Sequence, residues 1–267
     1  MSIWIESNKG LVSRAPVYED VSLSKTDRKL LFKKYPKALF IRYTSEFDTC
    51  TNPSFYCVLR DGDFRLENLP SKTRNMVRRF QKNCECKIVS SKDIIERGGY
   101  KVYLSEMRRF ERNGFPLAIK DVNIWQKGLA DAENKGQEFW GAFFGEDVIA
   151  YGVVKKIEKE VSLITWKCDY ERFKDLYPSY GLVYAITSHY LSLPDCLYVS
   201  DGTRSLTQHS HVQDFLESKF NYRRANVKLN VYFRWWLKPI VILLSKTDKY
   251  IKSNNILALV RMYKWSR

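Results

Sequence analysis

Residues 139–154 read FWGAFFGEDVIAYGVV. Two apolar runs, 139–144 and 148–154, flank Gly145-Glu146-Asp147. Apolar runs of this length around a short glycine-containing turn predict a β-hairpin. A third strand is expected over 161–168. Beyond it the pattern gives a helix over 180–191, a strand over 197–200, a helix over 212–220 and an alternating strand over 227–233.

Upstream of the hairpin the pattern is helical. Pro70-Ser71 opens a helix with Ser71 as its expected N-cap. Met76, Val77 and Phe80 lie on one side of that helix, and Arg74, Arg78 and Lys82 follow at four-residue steps on the other. Asn83 ends it, and a short strand covers 86–90. A second helix spans 101–112 with Tyr103, Met107 and Phe110 inward, stopped by Asn113-Gly114. Asp121 caps a third, which turns Val122, Trp125, Leu129 and Ala132 inward. Residues 1–59 read as mixed, with a basic helix over 25–34 and strands over 38–43 and 55–59. Helices, then a hairpin, then alternating strands and helices describe an α/β fold with a mixed central sheet flanked by helices. Three regions are expected: 1–68 completing the sheet, 69–234 as the principal domain, and 235–267 as a basic, aromatic tail.

The 267 residues suffice for one large domain or two small ones, and 45% are apolar. No apolar run approaches the roughly 18 residues of a membrane span. The first residues lack a basic region followed by an apolar stretch, so the cytoplasm is the expected location. The six cysteines match no zinc-ligand spacing and read as buried or idle thiols; no metal is expected. The net charge is +15, and it is uneven: 219–267 carries twelve basic residues against one acidic, while 121–218 is net acidic. Such polarity points to an anionic partner.

The segment 69–233 resembles the Fem-type branch of the GNAT acyltransferase superfamily. Three features carry the likeness. Ser71-Lys72-Thr73-Arg74-Asn75 opens a basic helix that leads to a strand. The hairpin has Gly145 at its turn and Ile149-Ala150 after it. Asp201-Gly202 follows a strand and precedes Asp214-Phe215-Leu216 and Lys219-Phe220-Asn221-Tyr222-Arg223. Asn221 stands where the family often has glycine, and asparagine tolerates the same left-handed backbone. The resemblance implies a GNAT-like acyl-CoA N-acyltransferase fold and transfer of an acetyl or aminoacyl group to a cell-wall or surface-polysaccharide precursor. Acetyl-CoA or another acyl-CoA is the implied donor. Transfer RNA, as an aminoacyl carrier, is the one nucleic acid expected.

The resemblance also assigns sites. Ser179, Gly181 and Leu182 match the pyrophosphate-binding helix start, where free amides favour anions. The strands over 161–168 and 197–200 would part and leave backbone groups free for the donor. Asp201 is the expected base or acceptor ligand, or else an ordinary Asp-Gly turn. His209 serves as acid, base or acceptor ligand, or packs before the helix at Val212. Tyr180 protonates the leaving group, or is aromatic packing. Arg74, Arg78 and Lys82, with Arg204, are the candidate ligands of a phosphate-bearing precursor; the other reading of the helical stripe is a solvated face. The tail joins Trp235 and Trp236 to Leu237-Lys238 and 240–244. It reads either as a peripheral contact with an anionic inner leaflet or as a helix packed on the domain. The competing functions are a basic nucleic-acid-binding protein and an inactive GNAT-like scaffold.

Overall fold

A computed structural model describes residues 4–114, 117–206, 211–251 and 253–267. In chain order the strands are β1 (Trp4–Ser7), β2 (Gly10–Ser13), β3 (Phe40–Ser45), β4 (Tyr56–Asp61), β5 (Glu85–Val89), β6 (Gln137–Phe144), β7 (Asp147–Ile157), β8 (Glu160–Cys168), β9 (Tyr198–Thr203), β10 (Arg223–Asn226) and β11 (Lys228–Phe233). The helices are α1 (Lys25–Lys34), α2 (Ser71–Asn83), α3 (Ser91–Glu96), α4 (Gly99–Arg112), α5 (Val122–Asn134), α6 (Tyr170–Phe173), α7 (Pro178–Leu191), α8 (Val212–Phe220), α9 (Leu237–Leu244) and α10 (Asn254–Trp265).

The chain forms two compact units. One holds residues 59–201 and 214–222; the other holds 1–58, 202–213 and 223–267. Within residues 1–68, β4 joins the seven-stranded sheet of order β10-β4-β9-β8-β7-β6-β5, while β1, β2 and β3 join β11 in a sheet of order β1-β2-β3-β11. The reason is long-range pairing, since β11 runs antiparallel to β3 from Lys228↔Ser45 to Phe233↔Phe40. α1 covers one face of that sheet, with Leu31 and Phe32 packed on Leu11 and Ile41. Ser24 and Asp27 close a reciprocal capping box at its start.

In the 59–201 unit the sheet runs β9-β8-β7-β6-β5. The β6–β7 hairpin forms as the sequence predicts, with Phe144↔Asp147 closing a two-residue turn at Gly145-Glu146. One face of this sheet packs Phe139, Phe143, Tyr151 and Val153 against Val102, Met107, Trp125 and Leu129 of α4 and α5. On the other face lies α7, against which α2 packs in turn. Coverage on both faces explains why β6 and β7 are apolar throughout rather than alternating. Each layer is pinned by a buried hydrogen bond: Trp125 Nε1 donates to Tyr151 Oη at 3.2 Å, and Trp140 Nε1 to Tyr190 Oη at 3.2 Å.

Local chemistry sets most boundaries. Asp121 accepts from the Asn123 amide and caps α5 as expected. Ser71 is the first residue of α2, not its cap; Pro70 holds the N-cap position without a side-chain hydrogen bond. Asn221 has φ 54°, a left-handed conformation that asparagine tolerates. Gly181 is required by packing: a Cβ there would lie 2.0 Å from the Phe80 ring. Gly181→Ala should therefore lower stability by about 1–3 kcal/mol through overpacking. This would appear as a lower urea midpoint with an unchanged slope, and Phe80→Leu in the same chain should recover part of the loss.

Candidate functional site

The site begins with β8, which pairs differently along its two edges. Its pairing with β7 runs from Ile157↔Glu160 to Ala150↔Cys168. Its parallel pairing with β9 covers three positions only: Glu160↔Tyr198, Val161↔Val199 and Ser162↔Ser200. Next to the point where that pairing stops, Val154 faces Leu163 and Val153 faces Thr165, so Ile164 is an extra residue in β8. A bulge of this kind bends its strand and increases its twist. β8 therefore leaves β9 at the bulge, and Ile164 is 47% exposed. The expected parting of the two strands is present.

The closed end of the gap is held by a buried carboxylate. Glu160 accepts from Ser162 Oγ at 2.8 Å and from Tyr198 Oη at 3.5 Å. At the open end, β8 presents Lys167 to α4. Glu106 of α4 is buried, and Arg109 holds it with two bonds at 2.6 and 3.2 Å. The guanidinium of Arg109 also lies over Tyr170, 5.0 Å from its centroid. Lys167 Nζ sits 5.3 Å from the centroid of Phe110. Burial holds the Lys167 amine below its ordinary range; Glu106 opposes that shift, while Arg109 and Lys120 add to it. Lys167 makes no hydrogen bond or ion pair among the described residues. Burial raises the Tyr170 phenol well above its usual value, so it stays protonated beside Ser179.

Acidic and basic partners shape the rim of this cluster. Buried Asp169 accepts from the amides of Glu171 and Arg172, both at 3.2 Å, and from Arg172 Nε at 2.6 Å. Arg108 and Arg112 converge on Glu171. Glu171 is drawn below the usual carboxylate range, chiefly by its hydrogen bond from Arg108. The cluster thus offers one amine whose pKa burial lowers, two buried carboxylates each paired with an arginine, and further guanidiniums at the rim.

The residues singled out in the sequence are not brought together. Ser179 and Leu182 are buried, and Gly181 lies under Phe80. The amides of Tyr180 and Gly181 both donate to the Tyr177 carbonyl, at 2.9 and 3.2 Å, and Pro178 has no N–H. The first turn of α7 therefore has its donors occupied or covered. Ser179, Gly181 and Leu182, expected to meet the donor's phosphates, are thus buried at a helix start whose amides are largely engaged. Tyr180 packs edge-on against Phe215 at 5.1 Å and beside Phe220, and burial raises its phenol. Arg74 donates to the carbonyls of Glu67 and Leu69, which makes it a brace for the loop before α2 rather than a ligand. Arg78 and Lys82 are exposed. Arg204 belongs to the other unit, where it donates to the Ser54 carbonyl at 2.7 Å and lies over Trp265. Asp201 stands just beyond the paired part of β9, near Tyr222, whose hydroxyl bonds Thr187 Oγ1 at 2.8 Å. His209 lies outside the described residues.

Glu106, Arg109, Lys167 and Tyr170 were missed. Two signals pointed to them: a lysine ending an otherwise apolar strand, and a glutamate beside Met107 on the inward face of its helix. A second groove, of about 470 Å³, is lined by Cys84, Cys86, Trp140 and His189. Burial pushes its two thiols up to about 11 and about 12, so they are not nucleophiles at neutral pH. No group of three or more His, Cys, Asp or Glu among the described residues is arranged to hold a metal ion.

No family model and no curated protein sequence matches this chain. Solved structures do. The FemX crystal structure aligns with a TM-score of 0.57 at 10% identity, over 82% of this chain and 77% of that one. The structure of L-PGS from Bacillus licheniformis aligns at 0.50 and 11% identity, over 91% and 84%. The C-terminal domain (DUF2156) of a protein assigned as a lysylphosphatidylglycerol synthetase from Agrobacterium fabrum gives 0.50 and 10% over the same shares. The chain shares the fold of these structures, and it is the mixed α/β arrangement of sheet and flanking helices that the sequence predicts.

Lys167 carries a pH signature. Its folded-state pKa lies below the unfolded value, so the unfolded chain binds more protons between the two, and stability rises with pH through that window. Lys167→Met should therefore be more stable than the parent at pH 7, with the difference shrinking as the pH approaches that of a free lysine. Urea midpoints across pH 7 to 10 test this; a difference independent of pH would show that Lys167 is not held low.

Proposed function

We propose that this chain is an acyltransferase that moves an activated acyl group onto an amine or hydroxyl of a cell-wall or surface-polysaccharide precursor. The observation that carries this reading is the parting of β8 from β9 at Ile164. The edge of β8 beyond Ser162 has no strand partner on that side, so its backbone is available to an acyl donor. Lys167 lies on that same stretch. An acceptor amine attacks the acyl carbon; the new C–N bond forms as the bond to the donor oxygen breaks. The attacking nitrogen loses a proton, for which the neutral fraction of the Lys167 amine is the proposed acceptor, and the proton passes on to the departing donor oxygen; burial lowers the pKa of that amine. Arg108 and Arg112 supply charge at the rim for a phosphate-bearing acceptor.

The donor we favour is an aminoacyl ester of tRNA. Support comes from the largely engaged amides at the start of α7, expected to meet the phosphates of an acyl-CoA, and from the net charge of +15, which suits a polyanionic carrier. With labelled aminoacyl-tRNA and a precursor fraction, the protein should transfer label, and saturating acetyl-CoA should leave its melting temperature unchanged. Lys167→Met should cut kcat by about 100-fold or more with little change in KM. Wild-type turnover by that variant, or efficient use of acetyl-CoA, would overturn the assignment.

A peripheral contact with an anionic membrane is the accompanying proposal for the tail. Leu237 and Val241 of α9 are buried, so part of the tail packs as a helix. Trp235 is nevertheless 86% exposed and Leu243 67%, next to Arg234 and Lys238. Among the described residues no helix is long and apolar enough to cross a membrane. The chain should sediment with vesicles rich in phosphatidylglycerol and be released by about 0.5 M salt, which roughly halves the Debye length relative to physiological ionic strength. Trp235→Ala with Leu243→Ala should abolish sedimentation without altering the unfolding midpoint.

A further inference from the structure

Arg42 occupies the middle of β3, an inner strand of its sheet, with Val12 of β2 on one side and Val231 of β11 on the other. Strand alternation separates its neighbours. Ile41 packs under α1 with Leu11, whereas Phe40 and Arg42 belong to the opposite face. On that face a cavity of about 550 Å³ lies within the 1–58, 202–213, 223–267 unit. Its apolar wall includes Val12, Phe40, Leu259 and Met262. Phe40 lies close over Gly10, where a Cβ would come within 2.2 Å of the ring, so the phenyl is held down against the sheet.

The charge of Arg42 is uncompensated. Among the described residues it makes no hydrogen bond and no ion pair, and the residues outside them include neither Asp nor Glu. No carboxylate lines the cavity; the other charged residues on its wall are Lys9 and Arg204. Burial lowers the pKa of Arg42 and no acidic group opposes the shift, yet a guanidinium stays charged. The contrast with Arg234 in the same unit is instructive. Arg234 donates to the carbonyls of Ala38, Phe32, Tyr35 and Pro36, and so is fully used as a structural tie. Arg42 has no such use. Arg42 is half-buried, and the cavity wall holds Ser7, Asn8, Thr203, Ser205 and Asn255 besides its apolar groups; a partly desolvated cation there gains from an anion that pairs with it.

We propose that this cavity binds a small amphiphile bearing one anionic group, a carboxylate or a phosphate, with Arg42 taking the anion and the wall of Val12, Phe40, Leu259 and Met262 taking the apolar body. The volume falls within the usual range of small-molecule sites, about 300–1,000 Å³. A guanidinium is matched to both anions, since it can donate two parallel N–H bonds to either. This site is independent of the acyl-transfer reading, because none of its residues lies in the unit that holds β8.

Calorimetric titration of the full chain with octyl phosphate and with octanoate tests the proposal, with octanol and inorganic phosphate as controls. One of the two amphiphiles should bind at least tenfold more tightly than either control, and the tighter of the two identifies the anion. Arg42→Met should weaken that binding at least tenfold while unfolding at the same or a higher urea concentration. Ala258→Phe, which narrows the cavity and keeps the charge, should weaken it as well. Equal binding by Arg42→Met and the parent, no binding by the parent, or a marked loss of stability in Arg42→Met would each overturn it.

Discussion

One extra residue in one strand organises the site. β8 must satisfy β7 along its whole length, and that demand is met from Glu160 to Cys168. It cannot also follow β9, because the bulge at Ile164 turns it away after three paired positions. A regular ladder here would consume every backbone group along the strand. The bulge instead leaves 163–168 paired on one side, and that stretch carries Lys167 and leads into Asp169 and Tyr170. The parting of the strands and the placement of Lys167, Asp169 and Tyr170 thus share a single cause.

Buried and half-buried charge is handled in several ways in this protein, and the differences are informative. Glu106 and Asp169 are buried, and each is bound by an arginine three residues further on. Arg234 is satisfied by four backbone carbonyls. These are structural solutions in which each desolvated group has its partner. Lys167 and Arg42 depart from that pattern: both are held below their ordinary pKa by burial, and neither has a bonding partner among the described residues. Two such cations, one in each unit, are where an incoming group would gain most by binding.

The start of α7 separates fold from ligand. In its position along the chain it corresponds to the helix start expected to hold phosphates, yet Phe80 fills the space over Gly181 and the Tyr177 carbonyl takes two amides. A glycine that permits close approach of an anion and one that permits close approach of a phenyl ring leave the same letter in the sequence. The packing of α2 on α7 decides between them.

Elements built from near neighbours were legible in the residues alone. The 139–154 hairpin, the Asp121 cap, the helix over 212–220 and the left-handed tolerance of Asn221 all depend on interactions within a few positions, where periodicity and turn chemistry speak directly. β1 and β2, four residues each, and α3, six residues, are too short to show a period. The separate sheet of β1, β2, β3 and β11 depends on pairing between residues nearly two hundred positions apart. The site lies in the same category. Glu106, Arg109 and Lys167 acquire their character from mutual burial, and Arg42 from the lack of any acid around it. Sequence determined the α/β class and the order of its elements, because local pattern carries that energy. Tertiary structure alone decided where the strands part, which amides remain free and which charges go unpaired, because desolvation and long-range pairing exist only once the chain has closed on itself.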